Sequence, residues 1–137
     1  MRTLERVLRD EDDWVRIRCA WAVWRIDRQA DLAVPVLVRA LESKEEWRVR
    51  MSAAIYLGII GEQASPAVPA LTRCLQDNDS RVRSSAAHAL AYIGPEAKAA
   101  VAQLVRLVED EDTWVRWSAH LALQMIDPEN AALIQQQ

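Results

Sequence analysis

The sequence predicts an all-α fold built from stacked helical hairpins, and three observations lead to this prediction. A short phrase with an acid three residues before a Val-Arg pair occurs four times. Its valines lie 34, 33 and 33 residues apart, a period typical of repeat proteins. Apolar residues within each period follow helical spacing, whereas no stretch alternates with the period of two found in strands. The four valines are Val15, Val49, Val82 and Val115.

The first helix of each period, helix A, is predicted from apolar or small residues at four offsets. Counted from the valine as 0, these offsets are 0, 4, 8 and 11. These offsets lie on one face of a helix, which should face the core. The acid before each valine suits an N-cap, because a carboxylate accepts hydrogen bonds from the free N–H groups of the first turn. Gly61 and Gly94 should end their helices, and Asp27 and Asp127 are weaker stops at the same place. The acids are Asp12, Glu46, Asp79 and Asp112, and the last apolar positions are Ile26, Ile60, Ile93 and Ile126.

A second apolar series in each period predicts helix B, and Pro35 and Pro69 should lie near its start, where a missing N–H does least harm. Each unit is therefore a helix, a short turn and a second helix. The chain is predicted to be one solenoid over residues 1–137. Its units are a half-repeat at 2–9, repeats at about 11–43, 44–77 and 78–110, and a partial repeat at 111–137.

The repeated pattern resembles a known family. It consists of an acid followed in order by V-R, A-A-x-A-L, I-G and A-V-P-A-L. This order is similar to that of a HEAT repeat of the short type found in phycobilisome-lyase-like proteins. Residues 82–94 carry the pattern best, and residues 65–71 add the proline-containing part. The resemblance implies a right-handed α-solenoid, an α-α superhelix, that acts as a protein-interaction scaffold or assembly module. It also implies an alternative, a bilin-lyase-type helper that holds a chromophore or its acceptor protein.

Composition narrows the classes of function. The net charge of −3 argues against non-specific binding of nucleic acid, which requires a basic face. No apolar run is long enough to span a membrane and the first residues lack a signal-peptide core, so a soluble cytoplasmic protein is expected. Cys19 and Cys74 fall at apolar positions of the repeat and are expected to be single buried thiols rather than a disulfide or a metal site.

Catalysis has little support in the sequence. His88 and His120 are predicted on different faces of helices in adjacent units, with no cysteine or carboxylate at metal-ligand spacing. The serines Ser84, Ser85 and Ser118 are expected on helix surfaces without a base beside them. We therefore expect no enzyme activity, no cofactor and no metal site in this chain.

The outer face of the A helices is the first candidate binding surface. Offsets 2, 6 and 10 should point away from the core and are usually polar, but here most are apolar. An exposed apolar surface with Trp, Tyr and Met is typical of a protein interface, either with a partner or with a second copy. Alternatively, the assigned face is off by one position, or neighbouring A helices cover it. The candidate residues are Ile17, Trp21, Met51, Ile55, Ile59, Tyr92, Trp117, Leu121 and Met125.

Arginines at one position of helix B form the second candidate surface, an arginine-lined concave groove. Guanidinium groups bind carboxylates and phosphates well, so the groove suits an acidic partner. Alternatively, these arginines are neutralised by acids three or four residues later. These acids are Glu42, Asp77, Glu109 and Asp110. The groove residues are Arg6, Arg39, Arg73 and Arg106.

Two further expectations concern structure rather than binding. The arginines that follow the valines should pair with helix-start acids or with carbonyls of their own or a neighbouring unit; these are Arg16, Arg50, Arg83 and Arg116. The tryptophans near the turns, Trp14, Trp47 and Trp114, should fill gaps between turns.

Because the half-repeat at 2–9 could stack on the last helix A of another copy, head-to-tail assembly is a further hypothesis. The alternatives are that the chain is excised from a longer protein or that its half-repeats fray.

Overall fold

The computed structural model describes residues 13–44 and 46–135, and the predicted half-repeat at 2–9 lies outside this part of the chain. The described residues form helices and no strand, so the all-α solenoid prediction is confirmed. The helices alternate as A and B in four hairpins, and a 3₁₀ segment precedes the B helix in the second and third hairpins. In chain order they are α1 (Asp13–Asp27), α2 (Ala30–Ala40), α3 (Trp47–Ile60), the 3₁₀ segment Gly61–Ala67, α4 (Val68–Cys74), α5 (Ser80–Ile93), the 3₁₀ segment Gly94–Ala100, α6 (Val101–Leu107), α7 (Thr113–Ile126) and α8 (Pro128–Gln135).

The predicted acids stand at the N-cap of α3, α5 and α7, and in α5 and α7 the acid side chain makes the capping hydrogen bond. Asp79 accepts a hydrogen bond from the backbone N–H of Arg81 at 2.9 Å, and Asp112 accepts from Trp114 at 2.8 Å and Val115 at 3.1 Å. Glu46 precedes α3 but makes no such bond, and Asp12 lies outside the described residues. The Arg81 side chain also binds Asp79, and these hydrogen bonds lower the pKa of the Asp79 carboxyl to about 2.

Replacing Asp79 with alanine should therefore lower the free energy of unfolding by about 1 kcal/mol at pH 7, the usual contribution of an N-cap. The pKa of Asp79 is lower in the folded protein than its ordinary value of 3.8. The stabilisation is thus present above the ordinary pKa and is lost as the pH falls towards about 2. In urea unfolding, the free energies of unfolding of the wild type and Asp79→Ala should differ at pH 7 and approach each other near pH 2. Asp79→Asn keeps a capping oxygen, and an equally large loss in that variant would argue against a capping role.

The A helices end where glycine was predicted to end them. Gly61 has φ 76° with ψ −135°, and Gly94 has φ 82° with ψ −147°. This region of backbone conformation is almost restricted to glycine. In the first hairpin the positive φ falls on Arg28, one residue after Asp27. Pro69 lies in the first turn of α4 as predicted, whereas Pro35 lies inside α2, because that helix begins earlier, without a preceding 3₁₀ segment.

The predicted core face is confirmed in α3, α5 and α7. Offsets 0, 4, 8 and 11 are buried in each of these helices, for example at Val82, Ala86, Leu90 and Ile93. Cys74 is buried and Cys19 half-buried, both as free thiols, and burial raises the pKa of the Cys74 thiol to about 11. No helix in the described ranges is long and apolar enough to cross a membrane.

Helix α1 departs from this register, and two predictions are corrected there. Ile17 is fully buried instead of facing outward, and Ile26 is exposed instead of packing in the core. The reason is the size of the side chains between α1 and α3. Tyr56 stacks on Trp21 with ring centroids 4.6 Å apart, and Trp21 stacks on Trp24 at 5.2 Å. Trp24 and Tyr56 occupy the positions that Gly58 and Ala89 occupy in the α3–α5 contact. The bulky rings hold the two helices in a different register and turn the Ile17 side of α1 inward.

Candidate functional site

An apolar cleft lies between α3 and α5, on their solvent-facing side. It forms because the two backbones approach closely: a Cβ atom on Gly58 would lie only 3.1 Å from the Cα of Ala89. Small residues therefore form the floor of the cleft. Ile55 and Ile59 line it from α3, and Tyr92 lines it from α5. The cleft has a volume of about 300 Å³, and its remaining lining residues are Ala54, Ser85 and His88.

Ring contacts extend this apolar surface from α5 to α7. The His88 ring lies 6.3 Å from Tyr92 and 5.4 Å from Trp117, measured between centroids. Trp117 in turn meets Trp114 edge to face at 6.2 Å. We call the exposed apolar residues of this surface the A face. They are Ile55, Ile59, Tyr92, Trp114, Trp117 and Met125.

The structure divides the nine residues predicted on the outer face into three groups. Ile55, Ile59, Tyr92, Trp117 and Met125 are exposed, which agrees with the expected orientation. Three others are half-buried against the core, and Ile17 lies inside it. A role in binding stays a prediction for all of them. The half-buried residues are Trp21, Met51 and Leu121.

Sequence reasoning missed the exposure of Trp114 and the position of His88 beside the cleft. Trp114 was expected to fill a gap between turns but is 68% exposed. Trp47, at the related place before α3, is covered by the guanidinium of Arg81, whose Cζ lies 3.3 Å from the ring centroid. His88 was not singled out for binding, and only its position at offset 6, shared with Ile55, could have indicated that it lines the cleft.

A chain of polar contacts holds His88 in place. The Oγ of Ser118 lies 3.1 Å from Nδ1 of His88 and 2.8 Å from the Oγ of Ser84. The expectation that Ser118 is a surface residue without a base nearby is therefore wrong. Because Ser118 is fully buried, its hydroxyl is shielded from solvent and orients the imidazole instead of meeting a substrate.

Comparison with known proteins places this architecture in a family. A family model described as HEAT repeats matches residues 1–91 and 68–134. The chain belongs to the HEAT-repeat family. No curated protein matches its sequence.

Solved structures of other repeat proteins have the same fold. An engineered protein from the Northeast Structural Genomics Consortium is 28% identical with a TM-score of 0.70, over 90% of this chain and 60% of its own. A chain in the complex of CpcE and CpcF of phycocyanin lyase from Nostoc sp. PCC7120 is 25% identical with a TM-score of 0.70, over 98% of this chain and 57% of its own. A second engineered protein is 31% identical with a TM-score of 0.70, over 96% of this chain and 39% of its own. This HEAT-repeat chain thus spans 60% or less of the length of these structures.

The arginines after the valines join successive turns of the HEAT stack. Arg83 donates two hydrogen bonds of 3.1 Å to the carboxylate of Asp110 and bonds of 2.8 and 3.2 Å to the carbonyls of Asp77 and Asn78. Arg50 binds Asp77 and the carbonyl of Ser43 in the same manner. The predicted pairing with carbonyls is confirmed.

The acids that these arginines use differ from the expected ones. For Arg50 and Arg83 the carboxylates come from the turn after helix B, at Asp77 and Asp110. The helix-start acids Asp79 and Asp112 cap backbone N–H groups instead. In the outer units the pairing is local: Arg16 binds Asp13, and Arg116 binds Thr113 and the carbonyls of Asp110 and Glu111.

This arrangement changes the interpretation of the groove. Asp77 and Asp110 were two of the four acids expected to neutralise the groove arginines. For these two acids the expectation is wrong, because Arg50 and Arg83 occupy both carboxylates. Arg73 contacts Glu42 of the preceding unit at 3.4 Å, and the two side chains are 65% and 62% exposed. Arg39 and Arg106 are also exposed, whereas Arg6 lies outside the described residues.

Proposed function

We propose that this chain is a protein-interaction scaffold or assembly module that binds a partner, or a second copy of itself, through the A face. The arginine groove would supply a second contact. The observation that carries the proposal is the run of exposed apolar side chains across α3, α5 and α7, centred on the cleft beside Gly58. Contiguous exposed apolar surface of this kind is uncommon on monomeric proteins and is typical of interfaces.

The size and chemistry of the cleft favour side chains of a protein as ligands. Its volume of about 300 Å³ lies at the lower end of small-molecule sites, so it suits one or two apolar side chains. Full burial of a residue such as Ile55, Ile59 or Tyr92 contributes about 1.5–3 kcal/mol each. Aromatic residues beside the cleft are the residue type that most often anchors protein interfaces.

The test is charge substitution on the A face. Ile55→Asp and Tyr92→Asp should each weaken partner binding by about tenfold or more, because an ionised side chain stays unburied. Val105→Asp, on the exposed side of α6, is the matched control. Proteins that co-purify with the wild type from cells of the source organism should be lost with the A-face variants and kept with the control, at unchanged helicity. Retention of the same proteins by all three variants would contradict the proposal.

Light scattering over a range of concentrations distinguishes the self-interface from a foreign partner. A mass that rises with concentration in the wild type and the control, but not in Tyr92→Asp, would indicate self-association through the A face. Head-to-tail stacking of repeat ends would raise the mass of all of them alike. A constant monomer mass leaves the A face to a foreign partner.

The alternative is a bilin-lyase-type helper that holds a chromophore or its acceptor protein. Similarity to a chain of the CpcE–CpcF complex of phycocyanin lyase favours it, as do the exposed aromatic rings of the A face. A linear tetrapyrrole added to the protein should then show a red-shifted absorbance that Trp117→Ala removes. An unchanged spectrum would exclude binding of the chromophore and leave only the acceptor protein as the ligand of such a helper.

A further inference from the structure

We propose that the exposed arginines of the B helices bind an extended acidic segment of a protein, with acids at every third residue. This inference rests on the proposed function only in that the partner is a protein, and it concerns a different surface from the A face. We call Arg39, Arg73 and Arg106 the arginine stripe. The three residues occupy the same position in successive units, 24 residues after Val15, Val49 and Val82.

Two of the carboxylates near the arginine stripe are already bound by other arginines, which leaves the stripe available. Glu42 and Glu109 also lie near it and are exposed. Asp77 and Asp110 each receive two hydrogen bonds from an arginine of helix A. The side chains of Arg39 and Arg106 make no hydrogen bond or ion pair with any described residue, and Arg73 contacts only Glu42 in a long, exposed pair. Pairs of this kind contribute little free energy, so a ligand carboxylate can replace Glu42.

The spacing of the stripe sets the register of the ligand. Consecutive B helices are neighbours: the Cys74 Sγ lies 3.8 Å from the carbonyl of Leu41, and the amides of Gln76 and Gln103 bond at 3.1 Å. Axes of packed helices lie about 8–10 Å apart, so each arginine follows the last by a similar distance. An extended chain advances about 3.3 Å per residue. About three residues therefore separate acids that reach successive arginines.

The surroundings favour a peptide over a nucleic acid. An open hollow of about 810 Å³ lies beside Arg106 and is lined by the amides of Gln76, Asn78 and Gln103, which can both donate to and accept from a peptide backbone. Glu111 also lines the hollow and is 92% exposed. Such a carboxylate, on a chain of net charge −3, repels any anionic ligand, and it repels the closely spaced phosphates of a nucleic acid more strongly than acids at every third residue of a peptide.

The experiment measures fluorescence anisotropy of a short labelled peptide with glutamates at every third position and small neutral residues between them. A peptide of the same composition with its glutamates adjacent is the control for register. The spaced peptide should bind about tenfold more tightly, and added salt should weaken its binding. The triple variant R39E/R73E/R106E should lose binding of the spaced peptide. The triple variant R18E/R25E/K98E makes the same change in net charge at exposed positions elsewhere and should retain it.

Two variants that each remove an acid competing with the peptide should strengthen peptide binding, the opposite of the effect of R39E/R73E/R106E. Glu42→Gln frees Arg73, and Glu111→Gln removes the exposed carboxylate of the hollow, so each should strengthen binding of the spaced peptide severalfold. Equal binding of both peptides, or equal losses in both triple variants, would overturn the proposal in favour of a general charge effect. Tighter binding of a single-stranded oligonucleotide than of the peptide would overturn it in favour of nucleic acid. Tyr92→Asp should leave peptide binding unchanged, so failure here is distinguishable from failure of the A-face proposal.

Discussion

Replacing Arg83 with alanine is expected to lower the free energy of unfolding by about 3 kcal/mol, at the lower end of the range for breaking a buried ion pair. The side chains of Arg83 and Asp110 are each only 11% exposed, so little solvent screens the pair. The substitution leaves the Asp110 carboxylate without its two guanidinium bonds and frees the carbonyls of Asp77 and Asn78. Chemical denaturation monitored by circular dichroism measures the loss.

Arg81→Ala is the matched control, because Arg81 is 57% exposed and its pair with Asp79 lies on the surface. That variant should lose no more than about 1 kcal/mol. A double-mutant cycle with Asp110→Ala separates the pair from the bonds to carbonyls: the coupling should be favourable and larger than 1 kcal/mol, on the order of buried networks. Equal destabilisation by Arg81→Ala and Arg83→Ala would show that the buried network has no special contribution.

Replacing Gly94 with alanine should cost about 2 kcal/mol, the typical strain of a side chain in a backbone region reserved for glycine. Gly94 has φ 82° and ψ −147°, and apart from Gly94 and its two chain neighbours no residue lies within 4 Å of the position that its Cβ would take. The cost therefore arises from the backbone and not from a steric clash. Thermal unfolding should show a lower melting temperature.

Ala99→Gly serves as the control, since it changes the same two residue types in the same 3₁₀ segment at an exposed site with ordinary dihedral angles. It should cost less than about 1 kcal/mol. If Gly94→Ala were as stable as the wild type, the turn would have to adopt another conformation, and the account of how α5 ends would be wrong.

Features that depend on local chemistry or on equivalence between units could be predicted from the sequence. The N-caps at Asp79 and Asp112, the glycine turns, and the core register of α3, α5 and α7 belong to this class. Each is determined by a few residues that recur at a fixed offset. The register of α1 could not be predicted in this way, because the large rings of Trp24 and Tyr56 take the places that small residues have in the α3–α5 contact.

Partners of charged residues were harder to predict than helices. Spacing along one helix favoured Asp110 as a partner of Arg106, but Asp110 binds Arg83, which lies 27 residues earlier. Arg83 binds Asp110 in preference to Arg106 because the Arg83 side chain is largely buried between two turns. Hydrogen bonds there are stronger and less screened than those of an exposed helical pair. The exposure of Trp114 was missed for a related reason, since periodicity assigns a residue to a turn without showing what covers it.

The arginine bonds between successive turns also bear on how the molecule deforms. Along one edge, the turns that carry Ser43, Asp77 and Asp110 are joined by short bonds to charged groups. Along the opposite edge, the 3₁₀ segments meet through fully buried alanines, whose individual attractions are weak and nearly directionless. If the stack bends, we therefore expect the first edge to keep its length as a hinge line and the contact between the two 3₁₀ segments to open or close. Curvature of this solenoid should then change more easily in one direction than in others.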